Sequence, residues 1–210
     1  MSSNAELLAA WQRGDRECGK ELVKRHYDAV YRFFRSKVGD DAPDLAQKTF
    51  LGCVEGIGKF REGYDFRSWL FAIAYRQLCK HFRDRAAERA RLDFGTITAF
   101  DLDPTPSSAM ARSEEEQLLL AALRQIPLDM QVALELHYWE RLTDADIAEV
   151  LDVPLGTIKS RIRRGRMLLR ERLEQLARSP EALHNTLTNL DDWAERLGEA
   201  AGVRGPARDA

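Results

Sequence analysis

Residues 143–173 read TDADIAEVLDVPLGTIKSRIRRGRMLLRERL. The stretch spells two helices separated by a short turn, and the second helix is heavily basic. Thr143 followed by Asp146 has the form of a helix N-terminal cap, and Ile147 and Leu151 recur one turn apart behind it. Asp152-Val153-Pro154 ends the first helix, because the residue before a proline is pushed out of the α region. A new helix is expected to start near Leu155–Thr157. On it Ile158, Ile162, Gly165, Leu169, Leu173 and Leu176 share one stripe at about 100° per residue. Lys159, Ser160, Arg163, Arg164 and Arg170 point the other way. One face is seated on a core while the other offers cations and a hydroxyl, which is how a helix-turn-helix presents its recognition helix to the major groove. A basic run alone is usually a solvated face. The short preceding helix, the interrupted turn and the separation of faces outweigh that reading.

The rest of the chain sets the frame. Its 210 residues suffice for one large or two small domains. With 44% hydrophobic and 31% charged residues, it has the composition of a globular protein. A formal net charge of −2 does not announce a nucleic-acid binder, so the distribution of charge matters more than its sum. No signal peptide and no membrane-spanning apolar run is apparent, which predicts a cytoplasmic protein without membrane insertion. Cys18, Cys53 and Cys79 are scattered thiols with no CxxC pair, so reduced structural cysteines are expected and no metal site.

In order, the chain predicts an all-α protein. Leu7, Leu8 and Trp11 mark a short helix ended near Gly14. Asp15 can cap the next, which runs to about Val38 with Leu22, Val23, His26, Tyr27, Val30, Phe33 and Phe34 at helical spacing. Pro43 suits a helix start, and Leu45, Thr49, Phe50, Val54 and Ile57 are expected on the inward face of that third helix. A fourth helix is expected from about Phe66 to Arg89, with Leu70, Ile73, Ala74 and Leu78 as its core face. Trp69, Arg76, Lys80 and Arg83 form a second stripe on it, an aromatic with cations, which suits unstacked bases and phosphates. Residues 92–112 lose the periodicity, and their prolines, serines and aspartates (Asp93, Asp101, Asp103) predict an acidic linker. Ser113 with Glu116 opens a further helix, and Pro127 another. The expected organisation is a first helical domain at 1–91, the linker at 92–112, the helix-turn-helix domain at 113–178, and a C-terminal amphipathic helix and tail at 179–210.

Four stretches in this order resemble the extracytoplasmic-function group of sigma factors, the initiation subunits of bacterial RNA polymerase. LVKRHYDAVYRFF (22–34) resembles the first helix of their sigma-two domain, and DLAQKTF (44–50) their polymerase-binding helix. FRSWLFAIAYRQLCKHFRD (66–84) is similar to the segment that melts and holds the minus-ten element. VPLGTIKSRIRRGRMLLRERL (153–173) is similar to the sigma-four recognition helix, which reads the minus-thirty-five element. The resemblance covers roughly residues 5–178.

That resemblance implies two small helical domains on a flexible tether, core RNA polymerase and promoter DNA as partners, an anti-sigma factor as a candidate partner, and no cofactor. It implies that Asp44, Gln47, Lys48 and Phe50 meet polymerase, and that Trp69, Arg76, Lys80 and Arg83 handle the separated minus-ten strand. Lys159, Ser160, Arg163 and Arg164 would meet the minus-thirty-five groove, with Arg161 and Arg166 on phosphates. The acidic linker would follow the path of exiting RNA. Many relatives carry asparagine where this chain has Arg76, and arginine cannot accept a hydrogen bond. No nucleophile beside a base, phosphate-binding glycine loop or metal-ligand spacing points to an enzyme. The alternative class is a helix-turn-helix regulator that is not a polymerase subunit, but its usual receiver or ligand domain needs strands, and residues 1–90 show no strand pattern. Beyond the resemblance, Ser179-Pro180 is expected to start a helix with Leu183, Leu187, Leu190 and Trp193 on one stripe, serving as a structural element, an autoinhibitor or a partner's handle.

Overall fold

Several helix starts along this chain are set by short side chains that take the first orphan N–H groups. Ser3 and Glu6 cap each other reciprocally at 3.2 and 2.7 Å, opening α1 (Asn4–Gln12). The Asp15 carboxylate accepts the Glu17 and Cys18 N–H groups at 3.0 and 3.2 Å, opening α2 (Arg16–Val38). Gly14, at φ 101°, supplies the left-handed turn between them. This computed structural model describes residues 2–60, 65–85, 95–102 and 114–177. The expected extension of the fourth helix to Arg89, the Ser113 cap and the helix at 179–210 lie outside the described residues.

The first half continues through α3 (Ala42–Gly56) and α4 (Phe66–Arg85). Leu22, Val30, Phe34, Leu70, Phe71, Ala74 and Leu78 are all fully buried between these helices. Phe33 meets Phe34 and Phe71 edge-on at 5.3 and 5.6 Å, an arrangement that aligns ring edges with ring faces. The sequence placed Val54 on the inward face of α3, and the structure corrects this. Cys53 is buried instead and Val54 is 55% exposed, because the buried stripe runs Leu45, Ala46, Thr49, Phe50, Cys53.

The second half comprises α5 (Ala99–Leu102), α6 (Glu114–Leu123), α7 (Leu128–Tyr138), α8 (Asp144–Leu151) and α9 (Leu155–Leu176). The expected cap on α8 forms: Asp146 N–H donates to Thr143 Oγ1 at 3.1 Å, and Thr143 N–H to Asp146 Oδ2 at 3.1 Å. Asp152 ends α8 in the left-handed conformation at φ 53°, where a short polar residue is tolerated. Ile158, Gly165, Leu169 and Leu173 seat α9, and Gly165 lets it approach α7 closely.

Two features go beyond the sequence reading. Part of the stretch read as linker is docked: Phe100 N–H donates to Arg124 O and Leu128 N–H to Ile97 O, both at 2.9 Å. Asp101 spends its carboxylate on Thr98, whose hydroxyl and N–H it accepts at 2.7 and 3.0 Å. The same residue that reads as linker acidity is thus a local cap. The halves also share one apolar core. Leu22, Phe34, Phe71 and Leu78 from the first half cluster with Leu128, Leu136, Ile147 and Ile158 from the second, and α4 packs along α8.

Candidate polymerase and nucleic-acid surfaces

The basic residues of α9 separate into three settings. Lys159, Arg163 and Arg166, spaced by four and three residues, are exposed on one stripe. They line a groove of about 470 Å³ together with His137, Asp144, Ile162 and Met167. The His137 Nδ1 atom lies 3.3 Å from Asp144 Oδ1, and the Arg166 guanidinium lies 5.8 Å from the centre of the Tyr138 ring. Ser160 and Arg164 are exposed further round the helix, with the Ser160 hydroxyl donating to Thr157 O at 2.8 Å. Arg161 is different. Its Nε is 2.8 Å from Asp129 Oδ2, and the two side chains are 20% and 7% exposed. The sequence placed Arg161 among phosphate contacts, and here it is instead tied to α7. It flanks the buried stripe, so its guanidinium turns toward the protein.

On α4, Arg76, Lys80 and Arg83 are exposed on one face as the spacing predicts, with Arg83 Nε donating to Cys79 O at 3.1 Å. Trp69 begins the same stripe but is partly buried. Its ring packs edge-on against Phe60 at 5.0 Å and lies tilted against Phe66 at 6.0 Å. A Cβ on Gly56 would lie 3.1 Å from the indole, so Trp69 also closes the end of α3. The cations form an open surface, while the indole is committed to an aromatic cluster. Tyr75, on the neighbouring face of α4, has its phenol pushed up from the usual tyrosine range, chiefly by burial.

On α3, Asp44, Gln47 and Lys48 are exposed, and Asp44 pairs with Lys48 at 2.6 Å. Phe50, expected at this surface, is only 7% exposed, with its ring 6.2 Å from that of Tyr27. Its place is taken by Leu51 and Val54, 52% and 55% exposed, which the sequence reading missed. Helical phase could have found Leu51, which follows Gln47 and Lys48 by one turn.

Buried charges join the halves. Arg32 and Arg67 both donate to Glu140, each at 2.9 Å, and Lys37 pairs with Glu135. Ser36 Oγ and Gln131 Nε2 also donate to Glu135, at 3.1 and 2.8 Å. Burial lowers the Lys37 amine below its usual range, with Glu135 opposing the shift. Among the described residues no group of His, Cys, Asp and Glu is placed to hold a metal, and no helix is long and apolar enough to cross a membrane.

A helical bundle bearing one cationic stripe, joined to a helix-turn-helix bearing another, defines a two-part DNA-binding protein. Comparison with known proteins specifies which. Residues 22–88 match the family model of sigma-70 region 2, and residues 116–169 that of sigma-70 region 4. The chain is 32% identical over 189 residues to the RNA polymerase sigma-H factor of Pseudomonas aeruginosa, covering 85% of this chain and 97% of that protein. It is 32% identical over 181 residues to the ECF RNA polymerase sigma-E factor of Haemophilus influenzae, covering 81% and 95%. Among solved structures, it resembles CnrH in complex with the cytosolic domain of CnrY, at a TM-score of 0.63 and 21% identity over 84% of this chain and all of that one, a likeness of fold. It also resembles the sigma factor RpoE of Bartonella quintana in complex with the anti-sigma factor NepR, at a TM-score of 0.60 and 26% identity, covering 74% and 96%. The chain belongs to the sigma-70 family of RNA polymerase sigma factors, in its extracytoplasmic-function group. It is accordingly a transcription initiation factor and not an enzyme.

Proposed function

We propose that this sigma factor reads a promoter through two separate helices and holds polymerase through a third. The groove stripe Lys159, Arg163 and Arg166, with Ser160 and Arg164, faces the minus-thirty-five duplex. Arginine there serves either a guanine edge, bidentately, or a phosphate. Arg76, Lys80 and Arg83 hold the phosphates of the melted minus-ten strand. Trp69 stiffens the root of that helix and offers its edge to the strand. On α3 the charged pair Asp44–Lys48 with Gln47 surrounds the apolar rung Leu51 and Val54, the mixed composition of a protein interface, and this surface docks on core polymerase. The protein acts in the cytoplasm, where the polymerase is, and an anti-sigma factor is its expected negative partner, by analogy with the Bartonella quintana neighbour.

The observation that carries this reading is the exposure of two cationic stripes on separate helices, α4 and α9, within a chain whose relatives are sigma factors. Run-off transcription with core polymerase tests it. Addition of the chain should start transcripts at promoters bearing both elements. Arg76→Ala with Lys80→Ala should reduce permanganate reactivity of promoter thymines more than closed-complex binding. Loss of closed-complex binding alone would reassign the α4 stripe to duplex contact.

A further inference from the structure

We propose that Leu155 reads a thymine methyl group in the minus-thirty-five element, so that the tip of α9 sets one base of the promoter by apolar contact alone. The inference rests on the reading of α9 as the helix that faces this duplex.

Leu155 is the first residue of α9 and is 42% exposed. The helix does not need it for its seat, because Ile158, Gly165, Leu169 and Leu173 supply the buried stripe. Its position on the helix carries information. Leu155, Lys159, Arg163 and Arg166 are spaced by four, four and three residues, so all four project from one face. The leucine thus continues the exposed cationic stripe to the end of the helix whose residues contact base edges in a helix-turn-helix.

The chemistry of the tip narrows what it can recognise. Pro154, Leu155 and Gly156 are exposed, and their side chains carry no hydrogen-bond donor or acceptor. Thr157 is half-buried and, two residues on, points to the opposite side of the helix. Ile158 is buried, and the first charged side chain on the helix is Lys159. In the major groove the base pairs offer donors, acceptors and one apolar group, the C5 methyl of thymine. A lone exposed leucine elsewhere on a surface carries no message. At the contact end of this stripe, without a polar neighbour, it matches the one apolar mark in the groove. A Cβ on Gly156 would meet nothing within 4 Å, so the surface beside Leu155 is open and a base edge can approach closely. The rise from Leu155 to Lys159 is about 6 Å at about 1.5 Å per residue, less than two base-pair steps of about 3.4 Å. The thymine therefore lies within two base pairs of the contact made by Lys159.

Holoenzyme assembled from the full chain and core polymerase tests this on a promoter pool randomised across the minus-thirty-five region. Closed complexes selected by the wild type should fix a thymine, on either strand, at one position that Leu155→Ala leaves degenerate. In the selected duplex that thymine is then replaced by deoxyuridine, which keeps the hydrogen-bonding edges and lacks only the methyl. Loss of one buried methyl should weaken wild-type closed-complex binding about fourfold. Leu155→Ala should bind the two duplexes alike. Leu155→Met, which keeps an apolar tip of similar size, should retain the penalty. Because Leu155 is exposed, both variants should melt within a few degrees of the wild type. A Leu155→Ala chain that melts well below the wild type would make the residue structural and overturn the proposal. So would the same consensus in the wild-type and Leu155→Ala pools, or a uridine penalty equal in the two proteins; either result leaves the promoter reading of α9 standing. A wild-type pool with no preferred sequence would instead sink that reading, and Leu155 with it.

Discussion

The sharpest consequence of the α9 geometry is a division of labour between two arginines that sequence alone treats alike. Arg161 is 20% exposed and sits 2.8 Å from Asp129, which is 7% exposed, whereas Arg163 is exposed in the groove. Replacing Arg161 by alanine removes the guanidinium that lies 2.8 Å from a buried carboxylate. Breaking a fully buried pair costs about 3–5 kcal/mol. Residual exposure of Arg161 lowers this, and we expect about 2 kcal/mol, which in a chain of this size shifts the melting temperature by roughly 4–8 °C. Arg163→Ala removes an exposed side chain and should change stability by no more than about 0.5 kcal/mol. In fluorescence-anisotropy titrations against matched and mismatched minus-thirty-five duplexes the order reverses. Arg163→Ala should lose about 1–3 kcal/mol, or roughly 5- to 150-fold, on the matched site and little on the mismatched one. Arg161→Ala should bind both duplexes with a salt dependence close to wild type once temperature is kept below its lowered melting point. An Arg161→Ala protein that melts like wild type, but whose binding falls less steeply with salt by about one phosphate contact, would refute the reasoning.

Three further outcomes follow from the packing and charge. A Cβ at Gly165 would lie 3.2 Å from Leu134 Cδ1 and 3.3 Å from Met130 Cβ, so Gly165→Val should destabilise by about 1–3 kcal/mol through overpacking. Gly165→Ala should cost less, since the helix propensity of alanine offsets about 1 kcal/mol, and urea titration measures both. His26, 9% exposed and accepting at Nε2 from Asn4 Nδ2 at 3.0 Å, is held down to about 4, first by burial and then by the Arg67 guanidinium. Because the unfolded chain takes up this proton near 6.5 and the folded chain only near 4, stability is full above about pH 6.5 and falls as pH drops toward 4, by at most on the order of 3 kcal/mol. Urea midpoints across that range should flatten in His26→Gln, and an unchanged slope would count against it. Finally, Leu51→Ser with Val54→Ser should weaken capture by core polymerase at least tenfold while leaving the melting temperature within a few degrees, because both side chains are already exposed. Unaltered capture would move the docking surface away from this face of α3.

Local chemistry made much of this protein legible in advance. Thr143 with Asp146, Asp15 ahead of α2, and the Asp152–Pro154 break each act within a few residues, so their caps and stops appear in the sequence and again in the structure. The buried stripe of α9 was likewise fixed by its period, as was the exposure of Lys159, Arg163, Arg164, Arg76 and Lys80. What the period cannot state is which neighbour covers the borders of a stripe. Cys53 and Val54 are adjacent in sequence and both apolar, and the approach of α4 to α3 buries the first while the second faces out. Arg161 lies at such a border too, and Asp129 on α7 takes it. The buried ion pairs that join the halves lay furthest beyond sequence reading. Arg32 and Glu140 are 108 residues apart, and each by itself resembles an ordinary surface charge. Burial makes them partners, and burial is a property of how the two halves meet: hydrophobic periodicity orients each helix toward a core, but the choice of which charges that core encloses belongs to tertiary packing.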